Sequence, residues 1–107
     1  LRMSRGLGDV YKRQGNNVRI GGDCIVIDSD CHSLNYVHRR GAVSDMLNTK
    51  SKQITIEDDV MIGARCIILK GVVIGARSVI GAGAVVTRSI PADCIACGNP
   101  AKIIKRI

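Results

Sequence analysis

The feature that most constrains the fold of this 107-residue sequence is an aliphatic side chain at every sixth position. The six positions are Ile56, Ile62, Ile68, Ile74, Ile80 and Val86. Four residues after each of them stands a small or β-branched residue, and glycine directly follows three of the six. An α-helix repeats about every 3.6 residues and a strand about every 2, so neither element alone explains the spacing. A fixed period of this kind is typical of a repeat architecture.

A period of six predicts a triangular column in which each hexapeptide forms one short strand and one turn. Three hexapeptides complete one coil, and successive coils stack as parallel strands about 4.8 Å apart. Each aliphatic side chain then points to the axis and lies under its equivalent eighteen residues further on. The predicted pairs are Ile56 with Ile74, Ile62 with Ile80 and Ile68 with Val86. We expect glycine to provide the unusual backbone conformation at the corners.

The composition fits such layers better than an irregular globule. The chain is 46% hydrophobic and 23% charged, which excludes plain disorder, and no run of eighteen apolar residues predicts membrane insertion. Phe and Trp are absent, so the core must consist of Ile, Val, Ala and Cys. Five cysteines without a signal sequence favour reduced thiols in a cytoplasmic protein. We interpret the Cys94-x-x-Cys97 spacing as core packing rather than a metal or redox site.

Residues 1–14 follow neither the repeat nor any apolar period. With four basic residues against one acidic residue, they contribute +3 of the formal net charge of +7. They resemble translated adapter sequence and are unlike a signal peptide, so we expect a non-native or disordered segment there, with a natural basic arm as the alternative. We therefore expect the domain to be 15–107 and to be the C-terminal part of a longer protein. The remaining charge of +4 gives little support to nucleic-acid binding.

Residues 54–107 carry three motifs together: the repeat, a Val-Thr-basic step at 86–88 and the sequence Gly-Asn-Pro-Ala-Lys at 98–102. The combination resembles the hexapeptide-repeat acyltransferases, most closely the sugar O-acetyltransferases of the maltose and galactoside type and of the capsule and lipopolysaccharide type. The similarity runs from about residue 15 to 107. It implies an all-β fold, a left-handed parallel β-helix, and a homotrimer that holds coenzyme A between adjacent columns. We also expect a short α-helix over Pro100–Ile107, because proline opens helices and basic residues favour their C-terminal ends.

The repeat is interrupted over the polar residues 33–53, which predicts an extruded loop. His32 lies where the coil ends and the loop departs. The resemblance implies that His32 is the catalytic base, because the catalytic histidine of sugar O-acetyltransferases lies shortly before such a loop. Strand alternation puts Asp30 on the same side as His32, and we expect Asp30 to orient the imidazole ring. His38 matches no family motif and is expected at the surface.

The resemblance also assigns residues to acetyl-CoA, the expected co-substrate. Its nucleotide end and phosphates would meet Thr87, Arg88, Lys102 and Lys105. The backbone at Ala64 and Ala82 would line the pantetheine arm, with the Ala64 N–H donating to the oxyanion of the transition state. Met61 stands where many relatives have an aromatic residue and would form a less rigid apolar wall.

Together these features predict an acetyl-CoA-dependent O-acetyltransferase that moves an acetyl group to a hydroxyl of a sugar or saccharide. We expect no metal, no nucleic-acid partner and no membrane insertion. Two alternatives use the same fold: a non-catalytic or truncated β-helix that acts as an assembly module, and the C-terminal domain of a sugar nucleotidyltransferase. A metal enzyme like the γ-class carbonic anhydrases would need three histidine ligands, and the chain has two histidines.

Overall fold

The computed structural model describes residues 2–3 and 12–107, and within them the chain forms twelve short strands and two short helices. The strands are β1 (Arg2–Met3), β2 (Lys12–Gln14), β3 (Arg19–Ile20), β4 (Ile25–Val26), β5 (Ile54–Ile56), β6 (Met61–Ile62), β7 (Ile67–Ile68), β8 (Val73–Ile74), β9 (Val79–Ile80), β10 (Val85–Val86), β11 (Cys94–Cys97) and β12 (Lys102–Arg106). The helices are α1 (Tyr36–Arg39) and α2 (Ala42–Asn48), both between β4 and β5. From β5 to β10 each strand follows the last at the six-residue interval predicted from the repeat.

Three sheets form the three sides of the column. Their strand orders are β1-β4-β7-β10, β2-β5-β8 and β12-β11-β9-β6-β3, and among these described strands only β11 and β12 pair antiparallel. The observed partners are Ile56 with Ile74, Ile62 with Ile80 and Ile68 with Val86. The predicted register of eighteen residues is therefore confirmed, and the chain is a left-handed parallel β-helix.

Aliphatic side chains and cysteines fill the axis of the column. Ile68 and Ile80 have no solvent exposure, and neither do Cys24, Cys66 and Cys94. Fully burying one aliphatic side chain of this size stabilises a fold by about 1.5–3 kcal/mol, so the repeated position dominates the stability of each coil.

Glycine after the repeated aliphatic residue has a role different from the one predicted. The left-handed φ angles lie at the third residue of the corners: this residue is glycine at Gly71 (+77°) and Gly83 (+75°), where the prediction holds, and a non-glycine residue at positions such as Asp59 (+59°). Gly63 instead permits close stacking of two successive corners, because a Cβ atom there would lie 2.6 Å from the Ala82 nitrogen. Gly21 stands in the same relation to Ala64, also at 2.6 Å. At Gly63 and Gly21 the lack of a side chain therefore allows two coils to stack closely, and it does not serve to permit a left-handed φ angle.

The predicted C-terminal helix is wrong. Strand β12 (Lys102–Arg106) turns back and pairs antiparallel with β11 (Cys94–Cys97). Gly98, with a φ of +99°, lies in the turn that reverses the chain. The exposed edge of β11 offers backbone hydrogen bonds, and the two isoleucines of β12 are β-branched, so pairing prevails over the weak helix signals of proline and terminal charge.

The extruded segment leaves and rejoins the column at one point. The Asp30 N–H donates to the Lys50 carbonyl and the Lys52 N–H to the Asp28 carbonyl, each at 2.9 Å. Between these two bonds lie α1 and α2, neither of which was predicted and neither of which contains a buried residue. The loop is therefore tied to the column by its ends and held together by polar contacts within itself.

The prediction for residues 1–14 falls largely on residues 1 and 4–11, which lie outside the described residues. Of the rest, β1 pairs with β4, and β2 pairs with β5. Gln14 stands opposite Ile56, at the phase of the repeated aliphatic residue, yet its side chain is exposed. Among all described residues, none of the helices has the length and apolar character needed to cross a membrane.

Candidate functional site

His32 lies just outside the column, where the chain leaves it after β4. Cys31 adopts a left-handed conformation with a φ of +67°, which turns the backbone away from the coil before His32. The His32 side chain is 70% exposed, so a small molecule approaching the edge of the column can reach the imidazole ring. The predicted junction of coil and loop is thus an accessible position.

The carboxylate that contacts His32 comes from Asp45, on α2. Asp45 Oδ2 lies 2.6 Å from His32 Nδ1, and Asp45 Oδ1 accepts a hydrogen bond from the Ser33 N–H at 2.6 Å. The hydrogen bond with His32, and then the one with Ser33, lowers the pKa of Asp45 below its ordinary value. Asp45 is therefore ionised at neutral pH and can only accept hydrogen bonds.

This contact defines what the imidazole ring can do. Because an ionised carboxylate donates no proton, His32 Nδ1 carries the hydrogen that lies between the two groups. In the neutral ring Nε2 then has its lone pair free, which is the state a general base requires. The arrangement can accept one proton at Nε2 while Asp45 stabilises the resulting imidazolium.

Asp30, the expected orienting residue, is engaged elsewhere. Its Oδ1 forms an ion pair with Lys70 Nζ at 2.8 Å, on the coil above. Asp28 is 2% exposed and lies 3.8 Å from Lys12 Nζ. Among the described residues, the carboxylate contact on His32 belongs to Asp45, which the sequence argument did not single out. No period links positions 32 and 45, and only the shape of the loop brings them together.

The loop has its own polar interior around Ser33. The Ser33 hydroxyl is buried and lies 3.4 Å from His38 Nδ1, while it accepts the Asn35 N–H at 3.2 Å. Arg39 Nη1 donates to the Ser33 carbonyl at 3.2 Å. His38, expected at the surface, is half-buried and faces into this network.

The backbone positions expected to meet coenzyme A lie on one corner of the column. Ala64 follows β6 and Ala82 follows β9, and the two stack directly, with the Gly83 N–H donating to the Ala64 carbonyl at 2.9 Å. Within the described part of the chain, the Ala64 and Ala82 N–H groups donate no hydrogen bond. Both alanines are exposed, so these two donors are open to solvent.

The equivalent corner residue twelve positions after Ala64 shows what such an amide can bind. Ala76 stands in the same Gly-Ala-Arg sequence as Ala64, and its N–H donates to the Glu57 carboxylate at 3.1 Å. An anionic oxygen therefore fits against this amide geometry. The Ala64 amide presents the same donor without a protein partner among the described residues.

The other predicted positions divide between two parts of the column. Met61, 50% exposed on β6, shares a sheet with Lys102 and Lys105 of β12, whose side chains are also exposed. Thr87 and Arg88 are exposed after β10, which belongs to the sheet of β4. In the described residues no three histidine, cysteine, aspartate or glutamate side chains cluster as a metal site would require.

Comparison with known proteins shows which family shares this arrangement of parallel sheets and stacked corners. Residues 53–88 match the family model described as the hexapeptide repeat of succinyl-transferase. Together with the fold, this confirms the resemblance to the hexapeptide-repeat acyltransferases.

Two proteins of known sequence are similar to this chain. A Schizosaccharomyces pombe protein named provisionally as an acetyltransferase is 43% identical over 93 residues, which are 87% of this chain and 42% of that protein. The Staphylococcus aureus 2,3,4,5-tetrahydropyridine-2,6-dicarboxylate N-acetyltransferase is 49% identical over 53 residues, covering 50% of this chain and 22% of that enzyme.

Two solved structures share the fold. A galactoside acetyltransferase in complex with coenzyme A superposes with a TM-score of 0.81 at 34% identity, covering 94% of this chain and 47% of that one. A Vibrio cholerae hexapeptide-repeat acetyltransferase complexed with acetyl coenzyme A gives 0.76 at 34% identity, covering 90% and 60%. The chain thus spans less than two thirds of the length of each of these relatives.

Proposed function

We propose that the protein is an acetyl-CoA-dependent acetyltransferase that acetylates a hydroxyl group of a sugar or saccharide, with His32 as general base. The observation that carries the proposal is the His32–Asp45 contact of 2.6 Å, which leaves Nε2 free on an exposed ring at the edge of the column. Relatives that share the fold are named acetyltransferases, two of them in complex with coenzyme A or acetyl coenzyme A.

His32 takes the proton that the acceptor hydroxyl must lose. A sugar hydroxyl is a weak nucleophile at neutral pH, and a neutral imidazole within hydrogen-bond reach removes its proton as the new C–O bond forms. The C–S bond of the thioester then breaks, and the imidazolium gives the proton to the departing thiolate, which leaves as the thiol of coenzyme A. Asp45 stabilises the positive charge of the ring between these two transfers. General base catalysis of this kind contributes about 10²–10⁴-fold in rate.

The Ala64 N–H is the donor proposed for the negative charge that develops on the acetyl carbonyl oxygen. Its support is the comparison with Ala76, whose equivalent N–H binds a carboxylate oxygen at 3.1 Å. A fixed amide that needs no reorientation is worth about 10²–10³-fold in rate. The Ala82 N–H, one coil away, is a second open donor for the amide groups of the pantetheine arm.

Exposed basic side chains fit the phosphates of the coenzyme. Lys102 and Lys105 on β12 and Arg88 after β10 carry charges that the described residues do not neutralise by an ion pair. Phosphate groups are bound by such cations through charge-assisted hydrogen bonds. Thr87 and the apolar side chain of Met61 would complete the contacts with the nucleotide and pantetheine.

We propose a homotrimer, the assembly that the family resemblance implies, and the positions of these groups are consistent with it. His32 leaves the column after β4, whereas Ala64 lies after β6, and these strands belong to different sheets and hence to different corners. A catalytic centre that uses both groups forms most simply between two columns, each contributing one corner. Threefold closure satisfies that geometry for three identical chains. A reducing, cytoplasmic location fits the five free thiols.

The test is thiol release from acetyl-CoA with a panel of sugar, saccharide and amino-sugar acceptors. The panel includes amines because one relative is named an N-acetyltransferase. We expect turnover with a hydroxyl acceptor, and a loss of at least about 100-fold in kcat for His32→Ala. His38→Ala, the other histidine of the chain, is the matched control and should keep the rate. A His32→Ala variant as fast as the wild type would remove this residue from the mechanism.

A further inference from the structure

We propose that Asp45 is the positioning residue of this centre, so that helix α2 of the extruded loop sets the tautomer and the orientation of the His32 ring. The inference rests on the proposed role of His32 as general base. Asp45 lies thirteen positions after His32 in the chain, so the extruded loop itself supplies a residue of the catalytic centre.

Asp45 holds two consecutive residues at once. One carboxylate oxygen contacts His32 Nδ1 and the other accepts the Ser33 N–H, both at 2.6 Å. The first bond directs the ring, and the second fixes the backbone from which the ring projects. The Asp45 side chain is 15% exposed, against 70% for His32, so the clamp is largely shielded from water while the ring is open.

The helix that carries Asp45 is fixed by hydrogen bonds of its own. The Asp45 N–H donates to the Gly41 carbonyl at 2.9 Å, and the Thr49 hydroxyl donates to the Asp45 carbonyl at 2.7 Å. The Ser44 hydroxyl joins α2 to α1 through the His38 carbonyl at 2.5 Å. Because neither helix has a buried residue, these polar contacts determine where the Asp45 carboxylate lies.

The other charged groups near His32 are consistent with Asp45 being the carboxylate that contacts its ring. Arg39, on α1, is the cation whose charge also favours the ionised form of Asp45. Asp30, the nearest acidic residue before His32 in the chain, is paired with Lys70 at 2.8 Å. The ring nitrogen therefore meets a single ionised carboxylate, and the Nδ1–H tautomer follows from it.

The first measurement is the ¹⁵N chemical shifts of the imidazole nitrogens in the wild-type protein. Since the chain has two histidines, a His38→Gln variant assigns the signals. At a pH where the ring is neutral we expect the Nδ1–H tautomer for His32, and a shift toward the Nε2–H form in Asp45→Asn. Finding Nε2–H in the wild type would overturn the inference without any kinetic assay, and without depending on how well the variant folds.

The second measurement separates kcat from KM in the acetyl-transfer assay. Asp45→Asn should lower kcat by up to about 10⁴-fold, the size of effect seen when the carboxylate that fixes the tautomer of a catalytic imidazole is replaced by an amide. The KM for acetyl-CoA should change little. The matched control is Asp93→Asn, which removes a carboxylate bonded to Arg77 at another corner and should keep kcat. Asp45→Glu should recover part of the rate.

The outcomes distinguish this inference from the proposed function. An unchanged kcat in Asp45→Asn, beside an inactive His32→Ala, overturns the role of Asp45 alone. An active His32→Ala overturns the proposed function and the inference with it. A fall in kcat with an unchanged tautomer would show that Asp45 only holds the loop together, and this also overturns the positioning role.

Discussion

The open amide of Ala64 can be tested by a substitution that removes one hydrogen atom from the backbone. Each corner is a four-residue turn, and in the corner that begins at Gly75 the Ser78 N–H returns to the Gly75 carbonyl at 3.3 Å. The third residue has a left-handed φ, +64° for Arg77 and +56° for Arg65. A positive φ at the third residue only is the mark of a type II turn, whose second residue accepts proline.

Ala64→Pro should therefore fold and lose only its N–H. Pre-setting φ at a compatible position stabilises a protein by about 0.4–1 kcal/mol, so the midpoint of denaturant unfolding should not fall. If the Ala64 N–H stabilises the developing oxyanion, kcat should drop by about 10²–10³-fold, equivalent to about 2.7–4 kcal/mol of transition-state stabilisation. The assay is thiol release from acetyl-CoA, measured beside the unfolding curve of the same sample.

Two control variants make the result interpretable. Ala64→Ser keeps the N–H and should keep the rate, because the proposed donor is the backbone. Ala76→Pro makes the same change at the equivalent corner, where it removes the hydrogen bond to Glu57, and should leave the rate unaltered. A folded Ala64→Pro protein with wild-type kcat would show that another group carries the oxyanion.

Three further results are expected. Ile68→Ala empties a fully buried axial position and should lower the free energy of unfolding by about 2–5 kcal/mol in denaturant titrations; a smaller loss would mean that the column collapses around the gap. Thiol reagents should label the exposed Cys31 first, because Cys66 is buried and burial raises its pKa; early labelling of Cys66 would contradict the packed axis. The ion pair with Arg77 lowers the pKa of Asp93, so the stability that this carboxylate adds to the fold should be lost as the pH falls from the ordinary pKa of aspartate through the lower pKa of Asp93. An Asp93→Asn variant that unfolds in acid just as the wild type does would contradict this.

The column could be predicted because its geometry depends on one regular sequence repeat. An aliphatic residue at every sixth place leaves one way to stack three-sided coils, and the pairing of Ile62 with Ile80 follows directly from the spacing. The choice of the Ala64 amide came from the family resemblance, and only the structure shows that this amide has no partner among the described residues and that the equivalent Ala76 amide donates to Glu57.

Features that depend on contacts without a period were missed. Asp45 meets His32 because two short helices fold the loop back on itself, and no spacing rule connects them. Strand β12 was predicted as a helix from the local signals around Pro100. Those signals do not include the edge of β11 with which β12 pairs, because that edge exists only once the column has formed. The role of Gly63 was misjudged for a similar reason, since the close approach of Ala82 is a contact between layers.

The pairing of β4 with β7 shows how little the column is disturbed by what it carries. Val26 lies against Ile68, forty-two positions later instead of eighteen, and the coil resumes in phase after a surplus of twenty-four residues. Ile20 and Ile62 keep the same offset. The stacking of the column therefore does not depend on the length of the inserted segment, provided that the chain returns to the column in phase.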